Sequence, residues 1–242
     1  MTTSALWAAI ADTLRNEIAS HHYAPGDKLP TEAALAKRFG VNRHTVRHGL
    51  KALTEEGLII TRRGAGAFVA MTPTVYPIGR RVRFHQNLTA ARRIPTKKVL
   101  SLETRGADEK ERSALRLPPD AQVHVYSGLS LADDQPIALF TSVFPAARFP
   151  DLPRDIAALT SVTKALARHG VADYTRAETR LTAKSATFIQ AVHLRIQEGA
   201  PILRTTSINH DLDGAPIEYG TTWFAGDRVT LTVGGEEASS RD

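Results

Sequence analysis

The sequence predicts an α+β protein with two parts, an N-terminal winged helix-turn-helix followed by an antiparallel-sheet domain with a ligand cleft. Two observations predict this fold class. Residues 1–70 have the pattern of three amphipathic helices and a hairpin, whereas residues 115–217 contain two similar segments of a short helix and a hairpin. Hairpins with intervening helices favour an antiparallel sheet with its helices packed on one side.

The charge distribution supports this division. The chain has 242 residues and a formal net charge of +6. Residues 1–70 hold nine Lys and Arg against six acids, residues 71–120 hold eleven against five, and residues 121–242 hold eleven against fourteen. The positive excess in residues 1–120 favours a polyanionic partner. The negative excess in residues 121–242 argues against a non-specific nucleic-acid binder.

Composition excludes several classes of protein. Hydrophobic residues make up 42% of the chain and charged residues 23%, so it is not a disordered polyelectrolyte. Without cysteine it has no disulfide framework, no thiolate zinc site and no cysteine nucleophile. Its apolar runs are shorter than the roughly 20 residues that span a bilayer, and no signal peptide is recognisable. We expect a soluble, cytoplasmic protein without a cofactor or a bound metal.

Local signals place the N-terminal helices. An apolar stripe with a period of four residues predicts the first helix, and its members are Leu6, Ile10, Leu14 and Ile18. Thr31 is a candidate N-cap for a second helix over residues 32–39, which Gly40 would end. Asn42 is a candidate N-cap for a third helix over residues 43–56.

The third helix has a basic outer face, composed of Arg43, His44, Arg47, His48 and Lys51. Residues 58–61 and 67–69 then form a predicted hairpin, whose basic tip contains Arg62 and Arg63. This order of elements is typical of a winged helix-turn-helix whose basic helix enters the major groove. The alternative is a small helical domain with a solvated basic face.

The residues of this part resemble the winged-helix signature of the GntR family. The resemblance is carried by residues 26–32, 35–36, 39–47, 52–53, 56–59 and 62–69. It implies a dimeric bacterial transcription factor that binds a palindromic operator. By position it implies DNA contacts from Glu32, Arg43, His44, Thr45, Arg47 and Gly66, to which the predicted hairpin adds Arg62 and Arg63.

The second part begins after a predicted linker over residues 71–79, which contains Pro73 and Pro77. Residues 80–98 hold seven Lys and Arg and no acid. Most such runs are solvated surface, but residues 83–88 also offer groups that suit a phosphoryl anion. The two similar segments follow at an offset of 79 to 80 residues, and a helix is predicted over residues 154–169 between them.

This part resembles the UTRA ligand-binding domain of the HutC subfamily, whose fold is similar to chorismate lyase. Together with residues 42–45, residues 83–88 look most like the phosphonate-metabolism regulators of the PhnF type. The resemblance implies a repressor of phosphonate or phosphate genes that is released by a phosphorus-containing small molecule. By position it implies effector contacts from Arg83, His85, Gln86, Asn87, Arg180, Glu218 and Tyr219. Gly128 and Ser130 stand where sugar-phosphate binders of the subfamily often carry two arginines.

The sequence thus predicts a homodimeric repressor with three regions: a DNA-binding domain over residues 1–70, the linker over 71–79, and an effector-binding and dimerisation domain over 80–242. A HutC-type repressor of sugar or amino-acid catabolism is the alternative. A chorismate-lyase-like enzyme is a more distant one. No catalytic residue is predicted, because the chain shows no Gly-rich phosphate loop, no His-Glu-x-x-His run and no serine flanked by glycines.

Overall fold

The chain divides into two units, Met1–Thr72 and Pro73–Asp242. The structure is a computed structural model, and it describes residues 3–62, 64–70, 73–79 and 94–233. Together the two units have the predicted α+β fold class, with a winged helix-turn-helix in the first and an antiparallel sheet in the second. Among the described residues, no helix is both long and apolar enough to cross a membrane.

The first unit contains the predicted helices and hairpin. Its elements are α1 (Thr3–Ala19), α2 (Glu32–Phe39), α3 (Arg43–Glu55), β1 (Ile59–Arg62) and β2 (Gly66–Val69), and the two strands pair antiparallel. Both predicted N-caps are confirmed: Thr31 Oγ1 accepts a hydrogen bond from the Ala34 amide, and Asn42 Oδ1 accepts one from the Thr45 amide. Gly40 ends α2 in the left-handed region, at φ 65°.

Gly49 of α3 lies in close contact with α1. Ile10 and Leu14 of the predicted stripe are buried in the core of the unit, as are Leu50 and Leu53 of α3. A Cβ atom added at Gly49 would lie 3.0 Å from the Trp7 carbonyl oxygen and 3.3 Å from Ile10 Cγ2. The absence of a side chain at this position therefore allows α3 to pack against α1.

We expect Gly49→Leu to lower the free energy of unfolding of the first unit by about 1–3 kcal/mol, because the new side chain meets backbone that cannot move aside cheaply. Urea unfolding followed by circular dichroism measures this, with Lys51→Leu on the exposed face of α3 as the control. An unchanged midpoint for Gly49→Leu would show that the two helices can separate without cost.

The strands of the second unit are, in chain order, β3 (Thr74–Pro77), β4 (Pro95–Gly106), β5 (Gln122–Ala132), β6 (Gln135–Pro145), β7 (Thr175–Ser185), β8 (Pro201–His210), β9 (Pro216–Ala225) and β10 (Val229–Thr232). Six of them form an antiparallel sheet with the order β4-β5-β6-β9-β8-β7. The helices are α4 (Glu109–Leu115), α5 (Leu152–Leu159), α6 (Val162–Arg168) and α7 (Phe188–Leu194). Strands β3 and β10 pair in parallel outside the main sheet.

The predicted repeat is present, and each copy is longer than expected. A long strand, β4 or β7, precedes each short helix, so both copies follow the order strand, helix, hairpin. Helices α4 and α7 each begin with a capping box, and each ends at an arginine in the left-handed region, Arg116 and Arg195. The first hairpin turns through Asp133 and Asp134, both at positive φ, as a two-residue turn between right-twisted strands requires.

Three expectations from the sequence were wrong or incomplete. The helix expected over residues 154–169 is two helices, because Thr160 adopts φ 48° and the Ser161 hydroxyl caps α6. Helices cover both faces of the sheet rather than one, since α5 and α6 pack on one face and α4 and α7 on the other. The segment expected to be a linker contains β3, which pairs with β10.

Arg228, in the turn that follows β9, connects this turn to α7 and β6 by hydrogen bonds. Its side chain is buried, and its guanidinium donates to the carbonyl oxygens of Pro136, Leu194 and Arg195 at 2.6–2.8 Å. The carbonyl groups of Leu194 and Arg195 lie at the C-terminus of α7, where a helix leaves its last carbonyls without internal partners. A cation at that position also complements the helix dipole.

Candidate DNA-binding surface and effector cavity

The outer face of α3 carries the predicted cationic surface. Arg43, His44, Arg47, His48 and Lys51 are all exposed. On the opposite face Val46, Leu50 and Leu53 are buried, so packing against the core fixes which side chains the helix presents. Exposed arginines on such a helix can make paired hydrogen bonds to guanine in the major groove.

Arg47 is oriented by Glu32 of α2. The Arg47 guanidinium donates from Nε to Oε1 at 3.1 Å and from Nη2 to Oε2 at 2.8 Å. This pairing holds the pKa of Glu32 below its ordinary value. The carboxylate therefore stays charged at neutral pH and fixes the direction of Arg47 on the exposed face.

The other predicted DNA contacts have different placements. Thr45 is buried, and its hydroxyl hydrogen-bonds to Asn42 Oδ1 at 3.0 Å, so it belongs to the cap of α3. Gly66 is exposed at the start of β2, at φ 107°, and an added Cβ would lie 3.2 Å from Lys28 Cε. Arg62 ends β1, and Arg63 lies outside the described residues.

A cavity of about 580 Å³ lies in the second unit, between the sheet and α6. Its size is in the range of ordinary small-molecule sites. Hydroxyl groups and three cationic side chains, Lys97, Lys164 and Arg176, share the lining with an apolar end formed by Tyr76, Ile137, Ala138 and Phe224.

The floor of the cavity is a chain of hydrogen bonds across four neighbouring strands. Ser142 Oγ on β6 donates to Glu218 Oε1 on β9 at 2.6 Å, and Asn209 Nδ2 on β8 donates to Oε2 at 2.7 Å. Arg176 on β7 donates from Nε to Asn209 Oδ1 at 3.4 Å. Both oxygens of the buried Glu218 carboxylate thus accept hydrogen bonds from neighbouring strands. The carboxylate is a fixed acceptor on the cavity floor, and the Arg176 guanidinium bonds to the same asparagine.

Lys97 on β4 contributes another cation to the lining of the cavity. Its ammonium nitrogen lies 4.6 Å from the centroid of the Phe140 ring, within the distance of a cation–π contact. Burial lowers the pKa of Lys97 to about 8, and the nearby Glu218 carboxylate offsets part of that effect. The ammonium group is therefore mostly charged at pH 7, although the fold partly dehydrates it.

The packing at Gly128 explains why no arginine stands there. A Cβ atom at this position would lie 2.6 Å from the Lys98 carbonyl oxygen and 2.8 Å from Phe140 Cζ. Lys97 is the cross-strand neighbour of Ser130, and Ser130 lines the cavity. The cation beside this part of the cavity therefore comes from the neighbouring strand instead of from position 128 or 130.

The predicted effector residues divide into three groups. Glu218 lines the cavity. Tyr219, next in the chain, packs on the opposite face of the sheet with the α4 cluster, and Arg180 is exposed on β7 in an ion pair with Glu178, so neither lines this cavity. Arg83, His85, Gln86 and Asn87 lie outside the described residues.

Lys97, Arg176 and Asn209 were not singled out by the sequence. Lys97 belonged to the basic run of residues 80–98, where nothing separates a cavity lysine from a solvated one. Asn209 could have been paired with Glu218 from the hairpin register, since the two residues are direct partners across β8 and β9. No sequence pattern indicates Arg176, because it lies on β7, a strand that the sequence did not predict.

A stability measurement can show whether Lys97 is dehydrated. The pKa of Lys97 is about 8 in the folded chain and has its ordinary value of 10.5 in the unfolded chain. Between these two pH values the unfolded chain therefore holds a proton that the folded chain has lost. The free-energy cost of Lys97 to folding is thus largest below pH 8 and disappears toward pH 10.5. We expect Lys97→Met to raise the melting temperature at pH 7 by a few degrees, with a gain that shrinks as pH rises. Lys98→Met, which removes an exposed lysine, should change little; equal behaviour of the two variants would contradict the assignment.

Comparisons with known proteins match each of the two units to a family. Residues 6–69 match the family described as bacterial regulatory proteins, gntR family, and residues 90–230 match the UTRA domain. An uncharacterised HTH-type transcriptional regulator of Rhizobium meliloti (strain 1021) is 40% identical, over 95% of this chain and 94% of that protein. The probable transcriptional regulator PhnF of Escherichia coli (strain K12) is 32% identical, over 93% and 92%.

The fold has a close counterpart among solved structures. The crystal structure of PhnF from Mycobacterium smegmatis superposes with a TM-score of 0.66 and 23% identity, over 94% of this chain and 99% of that one. Other relatives carry different names: one that is 30% identical, from Escherichia coli (strain K12), is a mannosyl-D-glycerate transport/metabolism system repressor.

A helix-turn-helix with a cationic recognition helix, joined to a sheet domain with a ligand cavity, defines a DNA-binding transcriptional regulator. The chain belongs to the GntR family of bacterial regulators, HutC type, with an UTRA domain, and is similar to PhnF. Members of this family bind DNA operators, their UTRA domains bind small effectors, and they usually act as dimers.

Proposed function

We propose that this chain is a homodimeric repressor of genes for the uptake or use of phosphonates or phosphate, and that a small phosphorus-containing anion releases it from its operator. The observation that carries the proposal is a cavity with three cationic side chains in a chain whose recognition helix presents Arg43 and Arg47. Phosphonate and phosphate groups suit such a cavity because charged donors bind their oxygens strongly.

The dimer follows from how this class of helix reads DNA. Two α3 helices related by a two-fold axis would enter successive major grooves about 34–36 Å apart and read a palindrome. Arg43 and Arg47 would contact base edges, with Glu32 holding Arg47 in place, while Arg62 and Arg63 of the hairpin would lie along phosphates. The anion would weaken DNA binding only to the extent that it prefers the dimer arrangement with the wrong helix spacing.

The cavity would serve as a sensor rather than as a reaction centre. Lys97 and Arg176 would bind the anion, and Glu218 would accept a hydrogen bond from the rest of the ligand. Both oxygens of Glu218 are already held by Ser142 and Asn209, which suits an acceptor that orients a ligand. Release of inorganic phosphate from phosphonates or phosphate esters by the purified protein would overturn this part of the proposal.

A second candidate is a repressor of sugar or amino-acid catabolism. It is favoured by the hydroxyl groups around the cavity, supplied by Ser130, Ser142, Thr160, Ser161, Thr163, Thr205 and Thr222. Such a lining suits a ligand with several hydroxyl groups of its own. The relative named for a mannosyl-D-glycerate system is consistent with this candidate.

Selection of bound DNA from a random pool tests the proposal and separates the two candidates. The full chain is used alone and with inorganic phosphate, methylphosphonate, glucose 6-phosphate or free glucose. We expect one palindrome, lost with methylphosphonate or phosphate. Loss only with the sugar compounds would favour the second candidate, and no enriched sequence would overturn the DNA-binding function itself.

A further inference from the structure

The internal repeat places two cations at equivalent positions of the cavity. Lys97 on β4 and Arg176 on β7 stand 79 positions apart, which is the offset of the two copies, and both line the cavity from opposite edge strands of the sheet. Their cross-strand neighbours, Ser130 and Asn209, stand at the same offset and also line the cavity. The lining therefore contains two equivalent halves, one with a lysine and one with an arginine.

The two halves differ in what stands on the next strand. In the second half Glu218 is the cross-strand neighbour of Asn209, and Asn209 joins the carboxylate to Arg176 by hydrogen bonds. In the first half Ala138 is the cross-strand neighbour of Ser130. A methyl group thus stands in the first half where the second half has a carboxylate, and this smaller side chain leaves space in the cavity on the side of Lys97.

A lysine in the first half offers chemistry that an arginine cannot. An arginine stays protonated in proteins, whereas a lysine amine that has lost its proton is a nucleophile. Burial lowers the pKa of Lys97 to about 8, so its neutral fraction at pH 7 is roughly 300-fold larger than that of a lysine with the ordinary value of 10.5. The buried Phe140 ring, whose centroid lies 4.6 Å from the Lys97 nitrogen, keeps water from that side and so slows hydrolysis of a covalent adduct.

We propose that Lys97 captures carbonyl groups as a reversible imine, so that the cavity takes aldehydes or ketones that carry a phosphonate or phosphate group. This inference rests on the anion site of the proposed function and names a class of ligand for it. Arg176 and Lys164, the other two cations of the lining, hold the anionic group while the carbonyl carbon lies beside the Lys97 nitrogen. Binding of the anion thereby brings the carbonyl group and the amine together.

The reaction balances without an oxidant or a reductant. The lone pair of the neutral Lys97 nitrogen forms a bond to the carbonyl carbon, and the π-electron pair of the carbonyl group moves to its oxygen. A proton passes from the nitrogen to that oxygen, which gives a carbinolamine. The oxygen takes up one more proton and leaves as water, while the nitrogen lone pair completes the C=N bond. Ser130 and Glu218 line the same cavity and can relay these protons.

The product keeps the electrostatics of the site. The ammonium group and the protonated imine both carry one positive charge, so the attraction between position 97 and the anionic group persists after capture. The imine adds a covalent bond to that attraction, and hydrolysis by water reverses it. A ligand with both groups therefore binds more tightly than an anion without a carbonyl group.

Reductive trapping in the full chain tests the imine. Wild type is incubated at neutral pH with glycolaldehyde phosphate and cyanoborohydride, which reduces an imine to a stable secondary amine. Intact-mass spectrometry counts the adducts, and peptide mapping locates them. Glycolaldehyde, which lacks the phosphate group, is the control for the ligand. Lys97→Arg keeps the charge but cannot form an imine, and Lys98→Met, which removes an exposed lysine of the same strand, is its control.

We expect wild type and Lys98→Met to take up one adduct at Lys97, at least ~10-fold faster from glycolaldehyde phosphate than from glycolaldehyde. Lys97→Arg should take up none at that position, and circular dichroism checks that it is folded. Excess methylphosphonate should slow the labelling of wild type, because it competes for the cations of the cavity. The peptide map of wild type decides the result even where a variant does not fold.

Two different outcomes separate this inference from the proposed function. Labelling spread over the surface lysines, or labelling of Lys164 instead of Lys97, would overturn the imine and leave the anion sensor standing. Rapid labelling of Lys97 at equal rates by the two aldehydes, without competition by methylphosphonate, would support the reactive lysine and overturn the anion site on which the proposed function depends.

Discussion

Arg47→Ala will weaken binding to the selected operator by about 10- to 100-fold, while binding to unrelated DNA changes much less. Arg47 is exposed on α3 and is held by both oxygens of Glu32, so in the proposed complex its guanidinium would enter the groove already oriented. A bidentate contact to guanine lost from each of two half-sites is the physical reason for the large effect. Fluorescence anisotropy of labelled operator and scrambled duplexes measures both affinities.

The control for this result is Arg154→Ala. Arg154 is an exposed arginine of the second unit that pairs with Asp151, so its removal changes the net charge by the same amount. If Arg47→Ala and Arg154→Ala weakened the operator and the scrambled duplex equally, the effect would come from net charge. Such a result would remove Arg47 from base recognition.

Lys97→Met will lower the affinity for the releasing anion by about 10- to 100-fold and leave operator affinity in the absence of the anion unchanged. Hydrogen bonds to charged groups are worth about 1.5–3 kcal/mol, and the partly dehydrated ammonium of Lys97 is placed to make one. Isothermal titration calorimetry with methylphosphonate or phosphate gives the dissociation constants. Lys98→Met on the same strand is the matched control.

The same lysine predicts a pH dependence. The pKa of Lys97 is about 8, so the ammonium group is mostly charged at pH 7 and mostly neutral at pH 9. The dissociation constant for the anion should therefore rise above pH 8, by up to about tenfold per unit. Lys97→Met supplies the baseline, because any titration of the ligand itself appears in both proteins. Parallel profiles for the two proteins would show that Lys97 does not bind the anion.

The N-terminal unit could be predicted from sequence because its signals are local. Thr31, Gly40 and Asn42 each act within a few residues, through a capping hydrogen bond or a left-handed backbone. The close approach of α1 at Gly49 could not be predicted in this way, since it depends on how two helices cross. The burial of Thr45 in the cap of α3 could not be predicted either, because this residue lies among the basic residues of the helix.

The second unit was harder to predict because its signals are spread over long separations. The hairpins were visible from apolar runs and turn residues such as Asp133 and Asp134. Strands β4 and β7 lie at the edges of the sheet and are largely exposed, so they show no run of apolar residues. Two of the cationic side chains that line the cavity belong to this hidden part, since Arg176 and Lys97 lie on those two strands.

The helices between the repeats show another limit of sequence patterns. Apolar residues at helical spacing predicted one helix over residues 154–169, but the spacing continues across the break at Thr160. Only the backbone shows that Thr160 leaves the helical region and that Ser161 caps a new helix. This break matters for the site, because Thr160 and Ser161 line the cavity.

In the proposed regulator, binding of the anion in the cavity lowers the affinity of the α3 helices for the operator. Operator affinity measured by anisotropy across a titration with methylphosphonate or phosphate tests this most directly. We predict at least a tenfold loss of operator affinity at saturating anion in wild type, and little loss in Lys97→Met at the same concentration. Calorimetric binding of the anion to wild type without any change in operator affinity would contradict the claim.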